Sequence, residues 1–141
     1  MSDDGYAGDV SPKEAFAVLK DNPKAVLIDV RTRAEWTYVG VPDLSEIGKD
    51  ALLVEWQGFP TGEQNAGFVE QVMGSGLEAD QPIYLLCRSG QRSRAAAIAL
   101  TAQGFEHCYN VAGGFEGNPN GGGHRGTDGG WKVDALPWGQ N

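Results

Sequence analysis

The chain has 141 residues, 40% of them hydrophobic, which is enough for one ordinary core and too few for two. Its 11 basic and 19 acidic residues leave a net charge of -8, which argues against a nucleic-acid partner or an acidic membrane surface. The longest aliphatic run, 95–100, is far too short to span a bilayer, and the acidic start Met1-Ser2-Asp3-Asp4-Gly5 lacks the basic end and apolar stretch of a signal peptide, so a cytoplasmic location is expected.

Residues 6–10 offer a short first strand or entry segment. Ser11, Pro12 and Glu14 then form a capping-box start, predicting a helix over 12–20 whose Ala15, Phe16, Val18 and Leu19 cluster on one side. Asp21-Asn22-Pro23 ends it. The continuous apolar run 25–30 reads as a strand buried on both faces, closing on Asp29 and Arg31. A short helical turn is predicted over 33–38, broken by Gly40 and Pro42, with loop to residue 49. Residues 51–56 are a third strand candidate, 58–62 a turn, and 65–73 a helix with Phe68, Val69 and Val72 at helical spacing. A turn at 80–82 leads into a strand over 83–87. After a tight loop comes a helix over 94–103, whose Ala95, Ile98, Ala99 and Ala102 make a face small enough for close sheet contact, ended by Gly104. Residues 108–111 make the last strand. Half of the fourteen residues 117–130 are glycine, a loop composition, and Trp131, Val133, Leu136 and Trp138 supply apolar surface to pin the tail over 131–138 back onto the core. Alternating strands and helices predict an α/β fold with a mainly parallel sheet and helices on both faces. Ligands of such sheets sit at the carboxyl ends of the strands, where Asp29, Trp56 and Cys87 fall.

The most informative stretch is Leu85-Leu86-Cys87-Arg88-Ser89-Gly90-Gln91-Arg92-Ser93-Arg94. A strand, tight loop and helix point loop and helix N–H groups at one spot, a preformed anion site beside a thiol. Three of the six arginines lie within eight residues of Cys87 in an otherwise acidic chain, so an easily ionised, nucleophilic thiol is expected. Cys87 and Cys108 give no disulfide framework, and with His107 and His124 they lack metal-ligand spacing; reduced thiols are expected.

Together these stretches resemble a rhodanese domain of the single-domain sulfurtransferase kind. The resemblance covers nearly the whole chain. It rests on Leu27-Ile28-Asp29-Val30-Arg31 with Glu35-Trp36, on Cys87-Arg88-Ser89-Gly90-Gln91-Arg92-Ser93, on Asn110-Val111-Ala112-Gly113-Gly114-Phe115, and on Gly130-Trp131 with Leu136-Pro137-Trp138. It implies one domain over 1–141 built on a parallel five-stranded sheet flanked by helices, and a cysteine that carries sulfur as a persulfide. One departure is Val39-Gly40-Val41-Pro42-Asp43, where many rhodaneses have Gly-His-Ile-Pro-Gly; that histidine is absent.

Under this resemblance Cys87 is the catalytic residue, and Arg88, Ser89, Gly90, Gln91, Arg92 and Ser93 bind substrate. Backbone N–H groups from 88 to 93 cradle the persulfide sulfur, Arg92 closes the loop, and Arg88 meets the donor's sulfonate oxygens. The expected partners are a small sulfur-containing anion such as thiosulfate and a thiol or cyanide acceptor. A persulfide relay or regulatory module, loaded by a protein donor or serving a protein acceptor, is the alternative. No metal or organic cofactor is expected. Cysteine phosphatases separate cysteine from arginine by five residues; here four separate Cys87 from Arg92, a smaller ring that suits one sulfur better than a tetrahedral phosphate. Plainer roles are expected elsewhere: structural for Asp29, Arg31 and Glu35, solvated or ion-paired for Arg94, core or pocket wall for the four tryptophans, surface for His107 and His124. Cys108 reads as a core residue, with resolution of the persulfide as its other possible role.

Overall fold

The computed structural model describes residues 5–38, 40–56, 65, 67–88, 90–112, 114–115, 131, 136 and 138–139. The expected turn over 58–62, Ser89, Gly113, the glycine-rich stretch 117–130 with His124, Val133, Pro137 and the side chain of Gln91 lie outside it.

A five-stranded sheet in the order β1-β6-β5-β2-β4 organises the molecule, with every pairing parallel. Its strands are β1 (Gly8–Val10), β2 (Val26–Asp29), β4 (Leu52–Leu53), β5 (Pro82–Leu86) and β6 (His107–Val111). Between them lie α1 (Pro12–Asp21), α2 (Arg33–Tyr38), β3 (Val41–Pro42), a 3-10 turn at Ser45–Ile47, α3 (Phe68–Gly74) and α4 (Gln91–Ala102). The last element, β7 (Trp138–Gly139), pairs antiparallel with β3.

Strand alternation sends side chains to two cores. On one face Ile28, Val30, Ile83, Leu85 and Cys108 pack against Phe68 and Val72 of α3 and Ala96, Ala97 and Leu100 of α4. On the other, Leu27, Tyr84, Leu86 and Val111 pack against Ala15 and Leu19 of α1 and against Phe115 and Trp131. The expected layers are therefore present, although α4 packs through Ala96, Ala97 and Leu100 and not through the expected Ala95, Ile98, Ala99 and Ala102 face, of which Ile98 and Ala102 are exposed. The capping box of α1 forms as read, with Ser11 Oγ accepting from Glu14 N–H and Glu14 Oε1 from Ser11 N–H. Where the tail is described, Trp131 is fully buried and meets Phe16 edge-on, whereas Trp138, expected as core or pocket wall, is 38% exposed and meets Phe115 edge-on.

Three elements differ from the sequence reading by more than one residue at an end, each for a local reason. The third strand is only two residues long because it lies at the sheet edge, although Val54 and Trp56 N–H groups still donate to Asp29 and Val30 carbonyls. Helix α3 starts at Phe68 rather than 65 because Asn65 forms a turn, its Oδ1 accepting from Gly67 N–H. Helix α4 starts at Gln91 rather than Arg94, since Gly90 at φ 112° supplies the turn that admits it. Segment 41–49, expected as loop, contains β3 and the 3-10 turn.

Candidate active site

The register of the sheet brings Asp29, Leu86 and Asn110 to one rim, with Cys87 the first residue past β5. Cys87 is buried, 1% exposed. Gly90 N–H donates to its Sγ at 3.0 Å, so the loop turns back over the sulfur just as α4 begins. The Ser93 hydroxyl, one turn into the helix and fully buried, lies 3.3 Å from the same sulfur. Arg88 is exposed beside it. Because α4 starts three residues earlier than expected, its first N–H groups sit closer to the thiol than the sequence implied.

Arg92 is not turned to solvent. Its guanidinium forks onto Glu35 of α2, with Nη1 to Oε1 at 2.6 Å and Nη2 to Oε2 at 2.9 Å, and Glu35 Oε1 also accepts from the Thr32 backbone and hydroxyl. The pair ties the cysteine loop to α2 and leaves Arg88 as the exposed cation of the loop among the described residues. Burial works against ionisation of Glu35, but the Arg92 hydrogen bond and charge, the Thr32 N–H and the Arg31 charge together hold its carboxyl below the usual carboxylate range. The Glu35 hydrogen bond and charge, with Cys87 and Asp29 adding to them, raise Arg92 against the effect of burial. A depressed carboxyl stabilises the fold above its unfolded value and loses that contribution as pH falls through the folded one. Glu35→Gln is accordingly expected to lower stability by about 1 kcal/mol at neutral pH, with the difference from wild type shrinking as pH falls through the lowered folded value, read by thermal unfolding across pH.

Behind the loop, the Cys87 carbonyl accepts from Phe115 N–H at 2.8 Å. A trans peptide sets C=O and the next N–H in opposite directions, so this bond aims the Arg88 N–H away from Phe115. Gly114 backs the same peptide so closely that a Cβ there would stand 2.4 Å from Cys87 O and 2.6 Å from Arg88 C. Under it lies a fully buried ion pair: Arg31 donates from Nε and Nη2 to Asp29, gives a further Nη2 hydrogen bond to Gly40 O at 2.6 Å, and stacks 4.2 Å over the Phe115 ring. Asp29 and Arg31 thus support the loop from beneath, as expected of structural residues.

Arg94 is exposed, its guanidinium carbon 5.7 Å from the centre of the Tyr6 ring, and is separate from the sulfur. Cys108 is opposite Ile83 in the register, four residues short of Cys87, or about 13 Å along the sheet. That separation rules out a disulfide without unfolding the strands, and burial pushes the Cys108 thiol up to about 11 against the opposing Thr101 hydroxyl. It is a core cysteine. Among the described residues no group of three or more potential ligands could hold a metal ion, and no helix is long and apolar enough to cross a membrane. The sequence reading gave no role to Asn110, Gly114 or Asp9. Only the β1–β6 register brings Asp9 to Asn110, and only the Phe115 N–H to Cys87 O bond brings Gly114 against the loop.

A parallel five-stranded α/β sheet with a buried cysteine in the loop between its central strand and the following helix defines the rhodanese-like class. The chain belongs to this family, matching the model of the STR4 middle domain over residues 7–141. It is 45% identical to Rv0390 from M. tuberculosis, whose crystal structure superposes with a TM-score of 0.87 over 96% of this chain and 99% of that one. It is 41% identical over 125 residues to the uncharacterized protein RP600 homolog of Rickettsia rickettsii, covering 89% of this chain and 91% of the relative. It is also 27% identical over 129 residues to the thiosulfate sulfurtransferase GlpE of Actinobacillus pleuropneumoniae, covering 92% and 90%. The family includes sulfurtransferases.

Proposed function

We propose that this chain is a sulfurtransferase that moves a sulfane sulfur from thiosulfate to a thiophilic acceptor through a persulfide on Cys87. The observation that carries the reading is the Gly90 N–H directed onto a buried Cys87 Sγ at 3.0 Å, in a loop braced by the Arg92–Glu35 pair. Similarity to a relative named as a thiosulfate sulfurtransferase, over nine-tenths of both chains, supports it.

In the first half-reaction the Cys87 thiolate attacks the outer sulfur of thiosulfate. The Cys87 Sγ–S bond forms, the S–S bond of the donor breaks, and sulfite leaves with its electron pair. Arg88, exposed at the mouth, faces the sulfonate oxygens, while Arg92 holds the loop closed through Glu35 instead of binding the donor directly. Backbone N–H groups of the loop stabilise the charge on the outer persulfide sulfur. In the second half-reaction an acceptor such as cyanide takes that sulfur and returns Cys87 as the thiolate. No general base is required once the thiol has ionised.

Thiocyanate formation from thiosulfate and cyanide tests the proposal. Steady turnover with parallel lines in double-reciprocal plots is expected, the pattern of a ping-pong reaction. Turnover equal to the buffer rate would remove thiosulfate as the donor.

A further inference from the structure

Ser93 stands between the candidate nucleophile and a chain of hydrogen bonds that the sulfur-transfer steps do not use. Its Oγ is 3.3 Å from Cys87 Sγ and 2.5 Å from Asn110 Oδ1, but a hydroxyl has a single proton. An amide oxygen only accepts. The proton therefore lies on the Asn110 side for as long as Asn110 keeps its oxygen turned to Ser93.

What keeps that amide oriented is the neighbouring strand. Asn110 Nδ2 donates to Asp9 Oδ1 at 3.0 Å, and the Tyr6 hydroxyl donates to the same oxygen at 2.7 Å. An ionised carboxylate only accepts, so turning the amide over would set two oxygens face to face. The β1–β6 register places Asp9 directly opposite Asn110, which builds the pair into the sheet. Tyr6, Ser93 and Asn110 are all buried, so the Ser93–Asn110 bond is shielded from bulk water, while Asp9 receives its two bonds at the protein surface. The protons of Ser93, Asn110 and Tyr6 all run toward Asp9.

We propose that Asp9 and Asn110 are positioning residues that make Ser93 a hydrogen-bond acceptor toward Cys87. A thiol satisfies that acceptor by donating its S–H. A bare thiolate, which only accepts, meets the lone pairs of Ser93 and is disfavoured unless the Ser93 proton turns away from Asn110. In the persulfide the negative charge has moved to the outer sulfur, and the inner sulfur, bonded to Cβ and to its partner, needs no donor. The array thus opposes the helix N-terminus, the Gly90 N–H and Arg92, all of which favour the thiolate, and it tolerates the loaded form. Only this last clause rests on the persulfide reading.

The test is the rate of Cys87 alkylation by iodoacetamide in the reduced full chain, assigned by peptide mass and followed across about pH 5 to 9. Asp9→Ala and Asn110→Ala, each of which removes the partner outright, are expected to speed the reaction at neutral pH about threefold to tenfold, the worth of one hydrogen bond, and to move the pH profile toward acid. Asp9 is at an exposed position, so its replacement disturbs no packing. The other charged groups around the sulfur are unchanged in every variant: Arg88 of the loop, Arg92 of α4, Glu35 of α2, and Asp29 and Arg31 at the end of β2. Asp9→Ala also removes a negative charge, and a Ser93→Ala background separates the two effects. Loss of charge would persist there, whereas the effect relayed through Ser93 must fall to less than about twofold. An unchanged or slower rate in Asp9→Ala, or full acceleration without the Ser93 hydroxyl, would overturn the proposal. Alkylation needs no sulfur donor, so failure here leaves the persulfide reading standing, and failure to load from thiosulfate leaves this test intact.

Discussion

Asp29→Ala is expected to destabilise the fold by about 3–5 kcal/mol, because it leaves the Arg31 guanidinium buried without its counter-charge. Both side chains are 0% exposed, so water cannot take over the role of the carboxylate. The loss is a large share of the roughly 5–15 kcal/mol that holds a domain of this size together. It should appear in thermal unfolding as a fall in Tm of about 10 °C or more. A double replacement, Asp29→Leu with Arg31→Met, removes both charges at once and is expected to cost less than either single change. A loss below about 1 kcal/mol in Asp29→Ala would show that solvent reaches the pair, contrary to the structure.

Gly114→Ala is expected to reduce kcat/KM for thiocyanate formation about 100-fold while leaving the folded content by circular dichroism unchanged. The added methyl would meet Cys87 O at 2.4 Å and Arg88 C and O at 2.6 Å, all backbone atoms that no rotamer change can move. The 87–88 peptide has to shift, and with it the N–H groups that bear on the sulfur. A positive φ of 59° adds strain of roughly 1–2 kcal/mol, which alone would not impair the chemistry. Gly76→Ala provides the control: its φ of 86° carries similar strain, but nothing lies within 4 Å of the new methyl, so activity should be retained. Equal loss in both variants would assign the effect to strain rather than to the loop.

The features legible in the sequence were those written locally. Ser11, Pro12 and Glu14 start α1 within four residues of one another, and the apolar run into Cys87 followed by Gly90 fixes strand, loop and helix without reference to the rest of the chain. What escaped is set by contacts between distant segments. The β3–β7 ladder joins Val41 and Pro42 to Gly139 and Trp138 through two-residue strands too short to show any periodicity. Glu35 and Arg92 are 57 positions apart, so their pairing had no local signal in the sequence. Asp9 meets Asn110 only because β1 returns beside β6, 101 positions away. Burial of Arg31 depends likewise on Asp29, Gly40 and Phe115 closing around it.

The most direct test of the central claim is the intact mass of the reduced protein after incubation with thiosulfate. Wild type and Cys108→Ser are expected to gain one sulfur atom, about 32 Da, and to lose it when cyanide is added, while Cys87→Ser gains nothing. A cyanide-labile gain that persists in Cys87→Ser, or no gain in the wild type, would contradict sulfur transfer from thiosulfate through Cys87.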